Sequence, residues 1–191
     1  MSRTVTEYVF DGKHDRYPVA AHLILCDPAG KILLMRRAGT EYGEGHLAFP
    51  AGHIDLGETP TASIAREAYE ELGVTIAPDS LAPVGVMFRR SLEPRVDFFF
   101  SASAWKGTPR ICEPHKCTEL VWADPDDLPP GTLDYIGAAY SNMRQGHHFC
   151  EYGWEPADLI AAFSSGRSDV SERADELLFA EDNPAEGSAG R

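Results

Sequence analysis

Apolar runs separated by turn residues predict most of the strands of this chain. Val19–Cys26 is almost wholly apolar, and the turn Asp27–Gly30 leads from it into a second apolar run, Lys31–Arg36. Two such runs joined by a short turn predict a β-hairpin. The same pattern predicts three further strands and one short apolar segment, at Leu81–Arg90, Arg95–Trp105, Thr118–Ala123 and Leu47–Ile54.

Two segments are typical of helices. Thr59–Leu72 has Thr59 as a candidate N-cap and Pro60 at the first helical position, and Gly73 follows its end. Helices favour these residue types at these positions. Asp134–Gly146 predicts a second helix. Because strands outnumber helices and come as hairpins, the pattern predicts an α/β fold with a mixed β-sheet and flanking helices.

The net charge excludes one large class of partner. The 191 residues include 17 Lys or Arg and 30 Asp or Glu, which gives a net charge of −13. Residues 151–191 contribute −7 of this charge, from 3 basic and 10 acidic residues. An acidic protein repels a phosphate backbone, so we expect no binding to nucleic acid.

The apolar runs and the cysteines indicate the cellular compartment of the protein. The longest runs, Val19–Cys26 and Val96–Trp105, are interrupted by His22 and Asp97 and are too short to span a bilayer. The 4 cysteines are irregularly spaced, and Met1–Tyr17 carries charges throughout without an apolar signal region. We therefore expect a cytoplasmic protein without membrane contact.

Three glutamates crowd one side of the first predicted helix. Glu67, Glu70 and Glu71 are spaced i, i+3 and i+4 near its C-terminal half. Like charges at this spacing destabilise a helix, and the helix dipole disfavours anions there. A run of glutamates is most often a solvated face. A hard divalent cation with oxygen ligands is the alternative that compensates the repulsion directly.

The residues around these glutamates favour the cation. Gly52 is followed at fixed spacing by Glu58, Arg66-Glu67, Glu70-Glu71 and Gly73-Val74. This pattern resembles the signature box of the Nudix hydrolases, the MutT-like phosphohydrolases. The resemblance extends over residues 18–146, through Gly30–Arg37 and Phe49–Gly52 before the box and Glu113–Cys117 and Asp126–Pro129 after it. It implies an α/β/α sandwich with a mixed β-sheet.

The resemblance also implies roles for single residues. The metal ligands would be Glu67 and Glu71, with Glu70 acting through water and the backbone carbonyl of Ala51 completing the site. The catalytic residues would be Glu67, Glu70, Arg66 and Glu58, in which Arg66 orients the glutamates and Glu67 is preferred over Glu113 as general base. The substrate-binding residues would be Arg36, Phe49, Gly52 and Glu113. Other basic residues that could bind phosphates, or be solvated instead, are Arg37, Arg89, Arg90 and Lys116.

The expected activity follows from the resemblance. The protein would be a Mg²⁺-dependent pyrophosphohydrolase, with Mn²⁺ as a substitute, that cleaves a nucleoside triphosphate, including an oxidised or non-standard one, to the monophosphate and pyrophosphate. The alternatives are a nucleotide-sugar or dinucleotide pyrophosphatase of the ADP-ribose type and a non-catalytic nucleotide-binding or regulatory module. Its partner would be a small nucleotide, and the protein would be a monomer or homodimer.

The chain divides into three predicted regions. Residues 1–17 form an N-terminal extension and residues 18–155 form the hydrolase domain. Residues 156–191 form an acidic C-terminal tail that is partly helical or disordered.

Overall fold

The computed structural model describes residues 16–40 and 42–154. The described part contains eight strands and two α-helices. The strands are β1 (Val19–Leu25), β2 (Ile32–Arg37), β3 (Leu47–Ala48), β4 (Ala51–His53), β5 (Ala82–Arg90), β6 (Pro94–Ala102), β7 (Cys117–Ala123) and β8 (Phe149–Tyr152). The helices are α1 (Pro60–Leu72) and α2 (Asp134–Arg144). The acidic tail and most of the N-terminal extension lie outside the described residues, so the predictions for them stay predictions.

The strands form two sheets with both parallel and antiparallel pairs. The larger sheet has five strands in the order β4-β1-β6-β5-β8, and the smaller has three in the order β3-β2-β7. In the larger sheet, β1 is parallel to β6 and antiparallel to β4, and β5 is parallel to β8. The predicted mixed sheet is confirmed.

One helix packs on each face of the strands. Ile64, Ala68 and Leu72 of α1 share a hydrophobic cluster with Leu23 and Leu25 of β1. The opposite face of the strands meets α2 in a second cluster, which includes Ile24, Leu34, Phe99 and Ile136. Successive residues of a strand point to opposite faces, so a strand buried on both sides is apolar throughout. The α/β/α sandwich is confirmed.

The ends of α1 agree with the sequence prediction. The Thr59 hydroxyl accepts a hydrogen bond from the backbone N–H of Ala62 at 3.2 Å. Gly73 ends the helix in the left-handed conformation with φ of +68°, and its N–H donates to the carbonyl of Tyr69. Both caps satisfy backbone groups that a helix end leaves without partners, which fixes where α1 begins and ends.

The predicted hairpin between the first two strands is wrong. The turn exists, since the N–H of Gly30 donates to the carbonyl of Asp27 at 2.9 Å, but the two strands share only the bridge between Cys26 and Ile32. β1 forms ladders with β4 and β6 on its two edges. No edge of β1 is left for β2, which continues into the smaller sheet.

Two smaller features also differ from the sequence prediction. The apolar segment Leu47–Ile54 is divided at Pro50 into β3 and β4, which belong to different sheets. β8 was not predicted. Neither α-helix in residues 16–40 and 42–154 has the length and apolar character needed to cross a bilayer.

Candidate active site

Two glutamates of α1 face the strand β4. Glu71 is only 8% exposed, and its carboxylate accepts a hydrogen bond from the backbone N–H of Ala51 at 3.1 Å. The backbone of β4 also passes close to Glu67, because a Cβ atom built on Gly52 would lie 1.8 Å from Glu67 Oε1. The absence of a side chain at Gly52 therefore allows this approach between β4 and α1.

The electrostatics of this pair fit a cation. Burial, together with the negative charge of Glu67, raises the pKa of Glu71 to about 8. Burial also raises the pKa of Glu67, against the opposing effect of Arg66. Two neighbouring carboxylates in a partly dry site are costly in the ionised form. Their oxygen donors suit a hard divalent cation such as Mg²⁺, which would remove this cost, so the residues present fit the metal.

Arg66 joins the acidic residues of the site. Its guanidinium donates to Glu58 at 2.9 Å, to Glu67 at 2.7 Å and to Glu70 at 3.0 Å. The hydrogen bonds from Arg66 lower the pKa of Glu58, and the pKa of Arg66 itself is raised, first of all by its hydrogen bond to Glu58. Arg66 therefore orients Glu67 and keeps Glu58 ionised.

The two glutamates line a cavity of about 350 Å³. Arg66, Ala51 and Gly52 line it as well, and we call the part of the lining formed by these five residues the acidic end. Other parts of the lining are aromatic and basic side chains, including Tyr42, Phe49, Tyr135, Arg37, Arg89, Arg95 and Lys116. A cavity lined by both acidic and basic side chains can hold a metal and a polyphosphate together.

A second part of the cavity lining is held by a buried carboxylate. Asp97 on β6 is fully buried and accepts hydrogen bonds from Arg89 Nε at 2.8 Å and Arg95 Nε at 3.0 Å. His22 on β1 places Nε2 3.4 Å from Asp97 Oδ1. We call the cavity surface formed by His22, Arg89 and Arg95 the inner wall.

The pKa values show how strongly these groups are coupled. Burial alone would raise the pKa of Asp97, but the nearby His22 ring and the Arg89 guanidinium hold it well below its usual range. Burial lowers the pKa of His22, despite the adjacent Asp97. At neutral pH the inner wall thus has two cationic arginines, one anionic aspartate and a neutral histidine.

Some of the sequence-predicted residues line the cavity. Phe49 has its ring 6.4 Å from that of Phe99 and 6.5 Å from that of Tyr140. It lines the cavity together with Ala51, Gly52, Arg66, Glu67 and Glu71.

The other predicted residues lie around the cavity. Glu58 and Glu70 contact it through Arg66. Glu113 pairs with Lys116 at 2.9 Å. Arg36 points elsewhere, because its Nε donates to Glu119 at 2.6 Å and its Nη1 donates to the carbonyl of Gly45 at 3.0 Å. The roles assigned to all of these residues stay predictions.

Of the inner wall, sequence analysis named only Arg89 for the site, as one of several basic residues that could bind phosphates. His22 and Asp97 were noticed only as interruptions of two apolar runs, and Arg95, Tyr42 and Tyr135 were not singled out. In the parallel β1–β6 ladder Ala20 is the register partner of Asp97, which brings both interruptions together. A polar residue in each of two buried strands is the signal that could have predicted the cluster.

A comparison with family models finds a match to one family. The model described as the NUDIX domain matches residues 16–143. This range contains every residue that lines the cavity.

Two kinds of curated relative are similar to the chain. An 8-oxo-dGTP diphosphatase of Escherichia coli (strain K12) is 29% identical over 116 residues, which cover 59% of this chain and 88% of the relative. An RNA pyrophosphohydrolase of Photobacterium profundum is 39% identical over 61 residues, which cover 32% of this chain and 33% of the relative. The second similarity thus spans only about a third of either protein.

Solved structures share the fold. The crystal structure of a MutT NUDIX hydrolase from Burkholderia pseudomallei superposes with a TM-score of 0.61 at 26% identity, over 66% of this chain and 98% of the other. A MutT protein from Methanosarcina mazei Go1 also superposes with a TM-score of 0.61, at 17% identity, over 68% and 94% of the two chains. The second similarity concerns the fold alone.

Proposed function

The chain belongs to the NUDIX domain family of hydrolases, and from this premise we propose that it cleaves nucleoside triphosphates to the monophosphate and pyrophosphate. The proposed cofactor is Mg²⁺, for which Mn²⁺ can substitute. One observation supports this function above the others. A pair of carboxylates, the buried Glu71 and the partly buried Glu67, and a set of basic side chains line a single cavity of about 350 Å³.

The carboxylates and the basic groups would have separate tasks. Glu67 and Glu71, with the backbone of Ala51, would hold the cation. When bound, a divalent cation neutralises phosphate oxygens and lowers the pKa of a water molecule. Arg37 and Lys116 line the cavity and would bind phosphate oxygens that the cation leaves exposed. Arg66 would keep Glu67 in place.

The proton of the attacking water needs an acceptor. Glu67 is the preferred general base, because it lines the cavity and its pKa is raised by burial. Glu113 is the second candidate. It pairs with Lys116 and does not line the cavity, so it would need water to relay the proton.

Three observations favour a free triphosphate as substrate. The most extensive of the curated similarities described above is to an 8-oxo-dGTP diphosphatase. Arg90 stands where ADP-ribose-type members of the family usually have a proline. The chain also carries a net charge of −13, which opposes an RNA substrate and hence the activity of the RNA pyrophosphohydrolase relatives. We infer that a small nucleotide is the partner and that the protein works in the cytoplasm as a monomer or homodimer.

A substrate panel tests the proposal. The purified protein is assayed with Mg²⁺ against canonical and oxidised nucleoside triphosphates, ADP-ribose, a dinucleoside polyphosphate and a 5′-triphosphorylated RNA, and pyrophosphate and orthophosphate are measured separately. We expect pyrophosphate release from triphosphates, restored by Mg²⁺ or Mn²⁺ after EDTA treatment. If ADP-ribose, the dinucleotide or the RNA has a kcat/KM tenfold above every triphosphate, or if orthophosphate is the product, the substrate assignment is wrong.

A further inference from the structure

The side chains of the inner wall are held in fixed positions by Asp97. Both carboxylate oxygens of Asp97 are occupied, Oδ2 by Arg89 and Oδ1 by Arg95. Arg89 is itself only 3% exposed. Its guanidinium lies over the ring of Tyr135, with Cζ 3.9 Å from the ring centroid, and its Nη1 donates to the Tyr42 hydroxyl at 3.2 Å. A guanidinium fixed on three sides has little freedom to turn away from the cavity.

The wall offers hydrogen-bond donors to whatever occupies the cavity. An arginine has five N–H groups and no acceptor, and the bonds that Arg89 makes to the described residues use its Nε and one N–H of Nη1. The oxygens of Asp97 point to the arginines. The Tyr42 hydroxyl accepts from Arg89, so its own hydrogen is directed elsewhere. Arg89 and the Tyr42 hydroxyl therefore present donors to the cavity, and the neutral His22 ring adds one donor and one acceptor.

His22 is a second polar group of this wall that a ligand could contact. The ring is 3% exposed and lines the cavity. Its Nε2 lies 3.4 Å from Asp97 Oδ1, at the long limit of a hydrogen bond, and its Nδ1 has no hydrogen-bond partner among the described residues. A buried polar atom without a partner is costly, and a bound ligand would remove that cost.

We propose that the inner wall, through Arg89 and Arg95, binds hydrogen-bond acceptors of the substrate, either the O6/N7 edge of a guanine-type base or the oxygens of a second phosphate. This inference rests on the proposed function, which places the reacting phosphates at the acidic end. Asp97 is then a positioning residue that acts through Arg89 and Arg95.

The nucleobases differ in the hydrogen-bond donors and acceptors that they would present to the inner wall. Guanine presents acceptors at both N7 and O6, whereas adenine has a donor amino group beside N7. Hypoxanthine keeps both guanine acceptors, 7-deazaguanine lacks the acceptor at position 7, and 8-oxoguanine carries a hydrogen on N7. Hydrogen-bond donors at this wall would thus bind guanine more tightly than 8-oxoguanine.

Direct binding measurements test the proposal without relying on catalysis. Calorimetric titrations of the full chain use GMP, IMP, AMP, 7-deaza-GMP and 8-oxo-GMP, together with adenosine and guanosine 3′,5′-bisphosphate. If the base edge is the ligand, GMP and IMP bind at least tenfold tighter than AMP, 7-deaza-GMP and 8-oxo-GMP. If a second phosphate is the ligand, both bisphosphates bind at least tenfold tighter than their monophosphates, whatever the base.

Two variants test whether the binding preference depends on the inner wall. Arg89→Lys keeps the charge next to Asp97 but loses the planar fork, and we expect it to reduce the preference to within threefold. Tyr42→Phe removes the hydroxyl at the fork without changing a buried charge, so it gives a second test should Arg89→Lys fail to fold. The matched control is Arg144→Lys, which alters an exposed Arg–Asp pair on α2 and should leave the preference unchanged.

The outcomes separate this inference from the proposed function. Equal binding of all the nucleotides, tighter binding of AMP, or a preference that survives both Arg89→Lys and Tyr42→Phe would overturn the inference. A protein that prefers GMP but hydrolyses no triphosphate would support the inner wall and refute the proposed activity. Triphosphate hydrolysis without any binding preference among the nucleotides would support the proposed activity and refute the inference about the inner wall.

Discussion

Gly52 and Glu67 are in such close contact that no side chain fits between them. A Cβ atom on residue 52 would lie 1.8 Å from Oε1, 1.9 Å from Cδ and 2.5 Å from Cγ of Glu67. The backbone of β4 therefore bounds one side of the space that the Glu67 carboxylate occupies.

Gly52→Ala should consequently move Glu67 rather than unfold the protein. The clash is with a partly exposed side chain, which can rotate, but rotation takes the carboxylate away from Glu71. We expect kcat/KM to fall by at least 100-fold, while the melting temperature changes by a few degrees. Steady-state kinetics and thermal denaturation measure the two effects.

Gly137→Ala is the matched control. Gly137 lies within α2, and its added Cβ would meet only Leu128 Cδ1 at 3.7 Å, an ordinary contact. Alanine is the better helix former, so this variant should be more stable by about 0.5–1 kcal/mol and fully active. Equal activity of both variants would show that the position of Glu67 does not matter for the reaction.

Glu71→Gln should separate metal binding from folding. The variant keeps the shape of the side chain and an oxygen for the N–H of Ala51, but it removes a buried charge that lies beside Glu67. Because the pKa of Glu71 is about 8 in the folded protein and 4.5 in the reference state, metal-free wild type should lose stability as the pH rises from about 4.5 to 8. The metal-free variant should lose less, because only the raised pKa of Glu67 remains in this pair.

Added Mg²⁺ should stabilise the wild type more than the Glu71→Gln variant. We expect Mg²⁺ to raise the melting temperature of the wild type at pH 8 much more than that of Glu71→Gln, and turnover of the variant to fall by orders of magnitude. Glu151→Gln, which removes an exposed charge on β8, is the control. Near-normal turnover of Glu71→Gln at saturating Mg²⁺ would refute its role as a metal ligand.

Arg66→Lys should weaken the metal site without unfolding the helix. Lysine keeps the positive charge but cannot donate to Glu58, Glu67 and Glu70 together. Residues that orient metal ligands typically contribute about 10–100-fold to metal affinity or activity. We expect the Mg²⁺ concentration for half-maximal activity to rise by a factor in this range. An unchanged Mg²⁺ dependence would show that Arg66 stabilises the helix α1 and does not act on the metal site.

Asp97→Asn should change stability in a pH-dependent way. The pKa of Asp97 lies below its reference value of 3.8, so its pairing stabilises the fold above that pH and is lost as the pH falls through the lowered pKa. Removing the charge leaves Arg89 buried without its partner, at a cost of about 3–5 kcal/mol near neutral pH. Urea unfolding should show the two proteins converging in stability below about pH 3 to 4. A constant difference across this range would contradict the assignment.

The acidic tail should be dispensable for the reaction. The NUDIX match ends at residue 143, and the residues that line the cavity lie between Ala20 and Tyr135. Truncation after Glu155 should therefore leave kcat/KM within about threefold of wild type. A large loss of activity in a folded truncated protein would show that the tail contributes to the site or to an assembly that the site needs.

The acidic end could be predicted from sequence because its determinants are local. The caps of α1 and the spacing from Glu67 to Glu71 lie within one helix, and the contacting Gly52 lies in the strand just before it. The inner wall depends on the pairing of β1 with β6, which brings His22 next to Asp97 across 75 positions of the chain. The false hairpin has the same cause, since local pattern indicates that Val19–Leu25 is a strand but not which strands are its neighbours.

The ladder between β1 and β4 links the inner wall directly to the acidic end. In its register His22 is opposite Ala51 and Ala21 is opposite Gly52, so a residue of the inner wall and one of the acidic end are direct cross-strand partners. Shifting β4 by one residue against β1 would move Gly52 away from Glu67 and place a different residue opposite His22. A substitution that disturbs this strand pair would therefore impair substrate selection and phosphate cleavage together.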